Sequence, residues 1–378
     1  MRTMLASISA LLLGAFFMLV GNGLTNTLIP LAANNAGFSP ISIGIVGAGQ
    51  NIGFVLGCLL CPLLVRRAGH IRAFTAFAGI AACTILILPI VLSPLAWPVL
   101  RGMFGFCFAG LFMVIESWLN ERATNEYRGR IFSIYQIVAL LGVLMGQQLL
   151  GLGDAESFEL FSMATIVLTL ALVPVAMTAS RAPAPLQTVR PRLIWLIQQS
   201  PMAVIGVGLV GMANGALWSM GPVFAHEQGL SLIEVGWFMS AIIAGGAISQ
   251  WPIGRISDRF DRRWVIIGVA TGSALAGLSI FLIQDLGRDV LYAQAAVYGV
   301  FALVLYSLCV AHVNDLVEPE DFIHVSSGTL LMFGAFAIVG SLSASTLMQI
   351  IGFDTLFLFT AGCHSMIVLF SVYRLVIR

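Results

Sequence analysis

Polar residues are sparse along this chain and come at intervals. Between them run apolar stretches of roughly 20–28 residues, long enough for a tilted helix to cross a bilayer. Twelve such spans are predicted, near 5–33, 40–65, 71–93, 95–119, 131–152, 157–179, 201–225, 231–256, 264–284, 290–313, 323–350 and 354–376. The connections are short except at 180–200, where Pro183, Pro185 and Pro191 alternate with Arg181, Arg190 and Arg192 as in a linker. Inside that segment, Leu193 to Gln199 can be read either as a short surface helix or as irregular chain.

The pattern recurs at an offset of 192. Asn22-Gly23 with Pro30 returns as Asn214-Gly215 with Pro222; Ser39, Ile41, Ile43 and Gly44 return as Ser231, Ile233, Val235 and Gly236; Gly53 and Arg67 return as Gly245 and Arg259. A twofold repeat of apolar spans predicts two membrane-embedded half-bundles, the architecture of secondary transporters. The expected division is a six-helix bundle over 1–180, a cytoplasmic linker over 181–200 and a second six-helix bundle over 201–378.

Composition agrees. Hydrophobic residues make up 59% of the chain and charged residues 9%, against about 25% charged in soluble domains; such a chain needs lipid around it. Net charge of +1 argues against a nucleic-acid partner. With no Lys among the 18 basic residues, a Walker-type phosphate loop is impossible. No nucleophile is spaced with a base, so no enzyme is expected, and no cofactor or metal. Cys58 and Cys61 have C-x-x-C spacing but no His or acid beside them, and read as small packing residues.

Arginine sets the orientation. Sixteen of the 18 fall on one side of the predicted spans, Arg288 alone lies on the other, and Arg101 sits inside span 4. By the positive-inside rule both termini are cytoplasmic, in a multi-pass protein of the plasma (inner) membrane. Span 1 is too long for a signal-peptide core and has a repeat partner in the interior, so it reads as a retained helix.

Three motifs carry a resemblance. After span 8 comes Gly254-Arg255-Ile256-Ser257-Asp258-Arg259-Phe260-Asp261-Arg262-Arg263. It resembles the signature loop of the major facilitator superfamily, G-x-x-x-D-R-x-G-R-R. Arg101 with Gly105 and Gly110 on span 4 is similar to that family's second motif. Glu116-Ser117-Trp118-Leu119-Asn120, followed by Arg128-Gly129-Arg130 and Tyr135, resembles the YcaD-like branch. The resemblance implies an all-α membrane protein, twelve transmembrane helices in two pseudo-symmetric bundles, with spans 1, 4, 7 and 10 lining a central cavity.

One departure from the family pattern is informative. At the first-half copy of the loop, the motif Asp is replaced by Arg66 and the Gly by Pro62. In the family, the acid after span 2 packs near the start of span 11, and its twin after span 8 near the start of span 5. Here span 11 is preceded by Glu318, Glu320 and Asp321, opposite Arg66 and Arg67. Span 5 is preceded by Arg128 and Arg130, opposite Asp258. Two latches of opposite polarity are therefore expected. The alternative is that the acids simply favour the span 11 N-terminus.

Polar residues inside spans are costly in lipid and mark interiors or cavities. Span 1 carries Asn22, Thr25 and Asn26 on one face; span 7 carries Asn214 and Trp218; span 2 has Gln50 and Asn51; span 5 has Gln136, Gln147 and Gln148. The expected substrate site is Asn22, Asn26, Arg101, Gln136, Asn214 and Trp218, with Tyr298 and Tyr306 as weaker additions; helix–helix bonding is the competing role. Glu116 lies about 22 Å along span 4 from Arg101, too far to touch it. It is expected to pair with Arg130 or Arg255 in a gate, or else to carry protons. His364 on span 12 reads as a packed, hydrogen-bonded residue.

The expectation is a monomeric carrier that moves a small-molecule solute by alternating access within the lipid bilayer, with proton coupling open. A polar or anionic metabolite suits the amide-rich candidates better than the alternative, efflux of drugs or toxic compounds. A non-transporting receptor or scaffold is the remote alternative.

Overall fold

A computed structural model of the chain describes residues 2–122, 127–155, 157–177, 192–283 and 287–376. Among them twelve helices are long and apolar enough to cross a membrane, and they follow the predicted spans in order. They are α1 (Arg2–Asn35), α2 (Pro40–Ala68), α3 (His70–Ile87), α4 (Ala96–Arg122), α5 (Arg128–Gln148) and α6 (Phe158–Leu170, resuming as Leu172–Ala176). Then come α7 (Pro201–Glu227), α8 (Leu232–Arg259), α9 (Arg262–Ile283), α10 (Arg288–Ala302, resuming as Leu305–Asn314), α11 (Phe322–Ile350) and α12 (Thr355–Val376). Of the linker, only its end is described: Leu193–Gln199 is a short helix, held down by buried Leu196 against Gly328.

Local chemistry explains the boundaries. α3 stops at Ile87, short of the expected 93, because Pro89 has no N–H to continue the ladder. The Trp97 indole N–H then takes the freed carbonyls of Leu88 and Val91 at 3.1 and 2.8 Å. α6 breaks after Leu170 because the ring of Pro174 falls on the carbonyl four residues earlier. α1 and α7 end alike. Gly37 and Gly229 adopt φ of 75° and 80°, and in each case that glycine and its successor close a Schellman turn. These two glycines are themselves 192 apart.

The chain divides into two units, Met1–Phe38 with Gly49–Thr188, and Ser39–Ala48 with Val189–Arg378. In the first, glycines replace side chains wherever helices cross. A Cβ on Gly23 or Gly146 of α1 and α5 would collide with the facing backbone, and Gly49, Gly53 and Gly57 of α2 meet Pro98, Gly102 and Phe106 of α4 in the same way. This small-residue packing draws membrane helices close where lipid offers no hydrophobic drive. In the second unit Gly211 and Gly215 of α7 meet Phe333 and Ala337 of α11, and Gly245 of α8 meets Ala296 of α10. The first turns of α2 belong here too: the Ile41 N–H donates to Gln349 Oε1 at 3.2 Å, and Gly47 faces Ser219.

Buried polar side chains reinforce these crossings. Gln147 of α5 donates to the Gly23 carbonyl at 2.9 Å and accepts from Thr27 at 2.8 Å. Ser341 of α11 donates to the Gly215 carbonyl at 3.0 Å. Gln147 is thus helix–helix bonding rather than a cavity group.

Candidate functional site: a buried arginine cluster

Because the α2–α4 seam is so tight, the residues beside its glycines are forced together. Gln50 follows Gly49, Arg101 precedes Gly102, and Gly105 leaves room for the Gln50 carbonyl. The Arg101 guanidinium therefore donates through Nη2 to Gln50 Oε1 and, at 3.4 Å, to Asn26 Oδ1 of α1. Gln50 Nε2 donates to the same Asn26 oxygen at 3.4 Å. The Phe104 ring lies 4.8 Å from the guanidinium carbon. Arg101 is 3% exposed, its Nη1 is buried without a partner, and among the described residues no carboxylate lies within 4 Å of it. Neutral amides solvate this cation, and nothing neutralises it.

The other candidates of the first unit are placed differently. Asn22 sits one turn before Asn26 on α1, half-buried, while the Thr25 hydroxyl turns back onto the Gly21 carbonyl at 2.9 Å. Gln136 is exposed on α5 and forms no part of the Arg101 cluster. Glu116, about four turns from Arg101 on α4, is exposed and accepts from the Tyr135 hydroxyl of α5 at 3.3 Å. Arg130, its expected partner, is not within 4 Å of it. The side chain of Arg128 lies outside the described residues.

In the second unit, Asn214 is 8% exposed and Trp218 half-buried, one turn apart on α7. Tyr298 is no cavity residue. It is 1% exposed and packs edge-on against Phe357 at 5.1 Å and beside His364 at 6.0 Å, because its side of α10 faces the core of the unit. Tyr306 meets Phe333 at 5.1 Å. His364 is buried and hydrogen-bonds Ser273 of α9 at 3.0 Å, in keeping with a packed histidine.

The loop after α8 is a local charge network. Arg262 donates to Asp315 Oδ2 at 2.6 Å, to Ser257 Oγ at 2.7 Å and to Asp258 Oδ1 at 3.2 Å. Asp258 is thereby engaged inside its own loop. Arg263 grips Asp261 at 2.8 Å, and together with the Arg263 N–H it holds the Asp261 carboxyl below the usual carboxylate range. Arg255 stacks on Trp251 at 4.1 Å, Arg259 is exposed, and Gly254 has open space around it. Arg66 and Arg67 are exposed in the last turn of α2. Glu320 is exposed and Asp321 half-buried in the 3₁₀ turn Pro319–Asp321 before α11.

The sequence model of the Major Facilitator Superfamily matches residues 11–197 and 203–376. The chain is a member of the major facilitator superfamily. Relatives of this MFS transporter include an "Uncharacterized MFS-type transporter YcaD" from Salmonella arizonae, 25% identical over 96% of this chain and 94% of the relative. Its namesake from Escherichia fergusonii is 24% identical over 93% and 91%. Among solved structures, the nucleoside transporter NupG superposes with a TM-score of 0.82 at 16% identity, covering 96% of this chain and 98% of NupG. A D-xylose–proton symporter gives 0.74 at 16% identity, covering 97% and 96%. At that identity the structures speak for the fold alone, and with the family match they make this a multi-pass membrane transporter.

Gln50 is the residue of this MFS transporter's arginine cluster that sequence reasoning noted but did not assign. Its one available signal was position: it follows a glycine in a stretch of α2 where almost every turn carries one, beside a close helix crossing. Cys61, of the C-x-x-C pair, is buried with its thiol 3.6 Å from the Phe106 carbonyl on that same crossing.

Proposed function

We propose that this MFS member is a secondary transporter that moves a small polar or anionic metabolite by alternating access, coupled to protons, with Arg101, Asn26 and Gln50 as the anchor for the solute's polar end. Asn22, Gln136, Asn214 and Trp218 are assigned to the same solute path. The arginine distribution orients both termini to the cytoplasm. One observation carries the reading: a guanidinium buried within a lipid-embedded unit, with one nitrogen unpartnered and no counter-anion among the described residues. Such a charge costs several kcal/mol unless a ligand or water takes it up, and it is retained in membranes where it works. Arg presents a planar fork suited to carboxylate, phosphate or vicinal oxygens. The fold neighbours, named for nucleosides and a sugar, support a solute of modest size.

The test is solute counterflow in proteoliposomes across a panel of nucleosides, pentoses, hexoses, monocarboxylates and dicarboxylates. A charged hydrogen bond contributes about 1.5–3 kcal/mol, so Arg101→Ala should lower transport roughly 10- to 100-fold. Arg101→Lys should recover part of the loss, since it keeps the charge and loses the fork. Selective transport of lipophilic cations, unaffected by Arg101→Ala, would overturn the reading in favour of drug efflux.

A further inference from the structure

Among the described spans, Glu116 is the acid farthest from a helix end: Arg122, the last residue of α4, is six positions on, about 9 Å along the axis. Its direction can be read from the helix. At about 100° per residue, Glu116 lies about 60° around α4 from Arg101. It is exposed, on a side of α4 close to that of Arg101.

Its surroundings are those of a group that changes charge rather than one that holds a fixed ion pair. The bond it accepts comes from a neutral donor, the Tyr135 hydroxyl at 3.3 Å. Among the described residues, the Cys58 thiol of α2 is the other titratable group that faces it. No guanidinium lies within 4 Å of it among the described residues. The carboxylates seen paired with an arginine among the described residues, Asp258, Asp261, Asp315 and Glu234, sit at a helix end or in a loop instead.

We propose that Glu116 is the proton-carrying site of this transporter, with Tyr135 as the positioning residue that holds its carboxylate. The proposal rests on the transport reading above and names its coupling ion. A proton delivered by water binds one carboxylate oxygen of Glu116, and Tyr135 keeps its own O–H and its bond throughout. The neutral acid can be sealed from water at far less cost than the carboxylate. Proton binding therefore favours whichever arrangement closes over Glu116, by the difference in affinity between the two arrangements.

The test is infrared difference spectroscopy of the full chain in liposomes, titrated over about pH 4–9. Wild type should show a carboxylic-acid carbonyl band that grows as pH falls, is missing in Glu116→Gln and is displaced in Glu116→Asp. Tyr135→Phe should keep the band and move its midpoint, which a merely structural tyrosine would not do. The midpoint should be the same in KCl and NaCl. An identical titration in Glu116→Gln, or a midpoint that moves with sodium, would overturn the proposal. In a second arm, pyranine-loaded proteoliposomes receive uridine, D-xylose and lactate in turn. A compound carried by wild type should move protons with it, whereas Glu116→Gln should exchange that compound and move none. Loss of exchange in wild type counts against the transport reading; proton movement in Glu116→Gln counts against this one.

Discussion

The two halves share their packing and differ in their charges. Gly23 and Gly215, 192 residues apart, each press on a partner backbone, and each has its carbonyl taken by a buried polar side chain, Gln147 in one half and Ser341 in the other. Gly53 and Gly245 likewise each press on a partner backbone. The polar positions of the arginine cluster are not repeated. Adding 192 to Asn26, Gln50 and Arg101 gives Trp218, Ile242 and Ala293. The second half therefore has the seam without the cation. Conversely, Arg262 binds Asp258, Ser257 and Asp315, while its first-half counterpart, His70, is buried edge-on to Trp118 at 6.2 Å. Duplication kept what lets helices approach, and each half then acquired a separate chemistry: a buried arginine held by amides in the first, a charge network at a helix junction in the second.

The strongest way to break this comparison is at the shared seams. Gly53→Val and Gly245→Val would each drive a side chain into a backbone carbonyl that cannot swing away. Overpacking of this kind costs about 1–3 kcal/mol or more. Both should lose folded protein to a similar extent, measured by size exclusion after mild heating. A tolerated substitution on one side only would show that the halves do not pack alike.

The charge network should give a smaller effect. Importing the first-half residue as Arg262→His removes three bonds at a partly exposed junction. The expected loss is about 1–2 kcal/mol, a drop of a few degrees in thermal midpoint. A double-mutant cycle with Asp315→Asn should recover a coupling of about 1 kcal/mol. Additive effects would mean that the 2.6 Å contact contributes nothing.

The smallest effect sharpens the contrast between Asp261 and its counterpart Gly69, which takes φ of 84° where Asp261 accepts from the Arg263 N–H instead. The folded Asp261 carboxyl titrates below its unfolded value because Arg263 holds it charged. Its stabilising contribution is thus complete above the ordinary Asp value of about 3.9 and is lost as pH falls through the lower folded value. The difference in thermal midpoint between wild type and Asp261→Asn should be present at about pH 7 and close progressively below about pH 4.

Much of this was legible in the chain because membrane helices advertise themselves. The apolar spans, the repeat offset and the arginine bias placed every helix within a few residues, and the main shortening, in α3, traces to Pro89. The site was legible in part. Arg101 stood out because a charge in a span is rare, and Asn26 because it shared a face with Asn22. Their meeting did not, since it depends on the register of α2 against α4 and α1, across 51 and 75 residues of sequence separation. Tyr298 was misplaced for a related reason: periodicity reveals that a helix has a special face, without saying what that face meets. Glu116 was recognised as an unusual acid, but its phenolic partner lies on a different helix and has no local signature.

The cluster around Arg101 also bears on how the chain enters the membrane. A span with an arginine at its centre is penalised by about 2.5–3.5 kcal/mol during insertion, and one placed like Arg101, five residues in from the start of α4, by less because it can snorkel. α4 meets that with a mean hydropathy of 1.8 over its best stretch. Its two acceptors, Asn26 and Gln50, lie earlier in the sequence and so leave the ribosome first. By the time the guanidinium arrives, the amides that will solvate it are already in the bilayer, and synthesis itself runs in the order that spares the cation a wait among acyl chains.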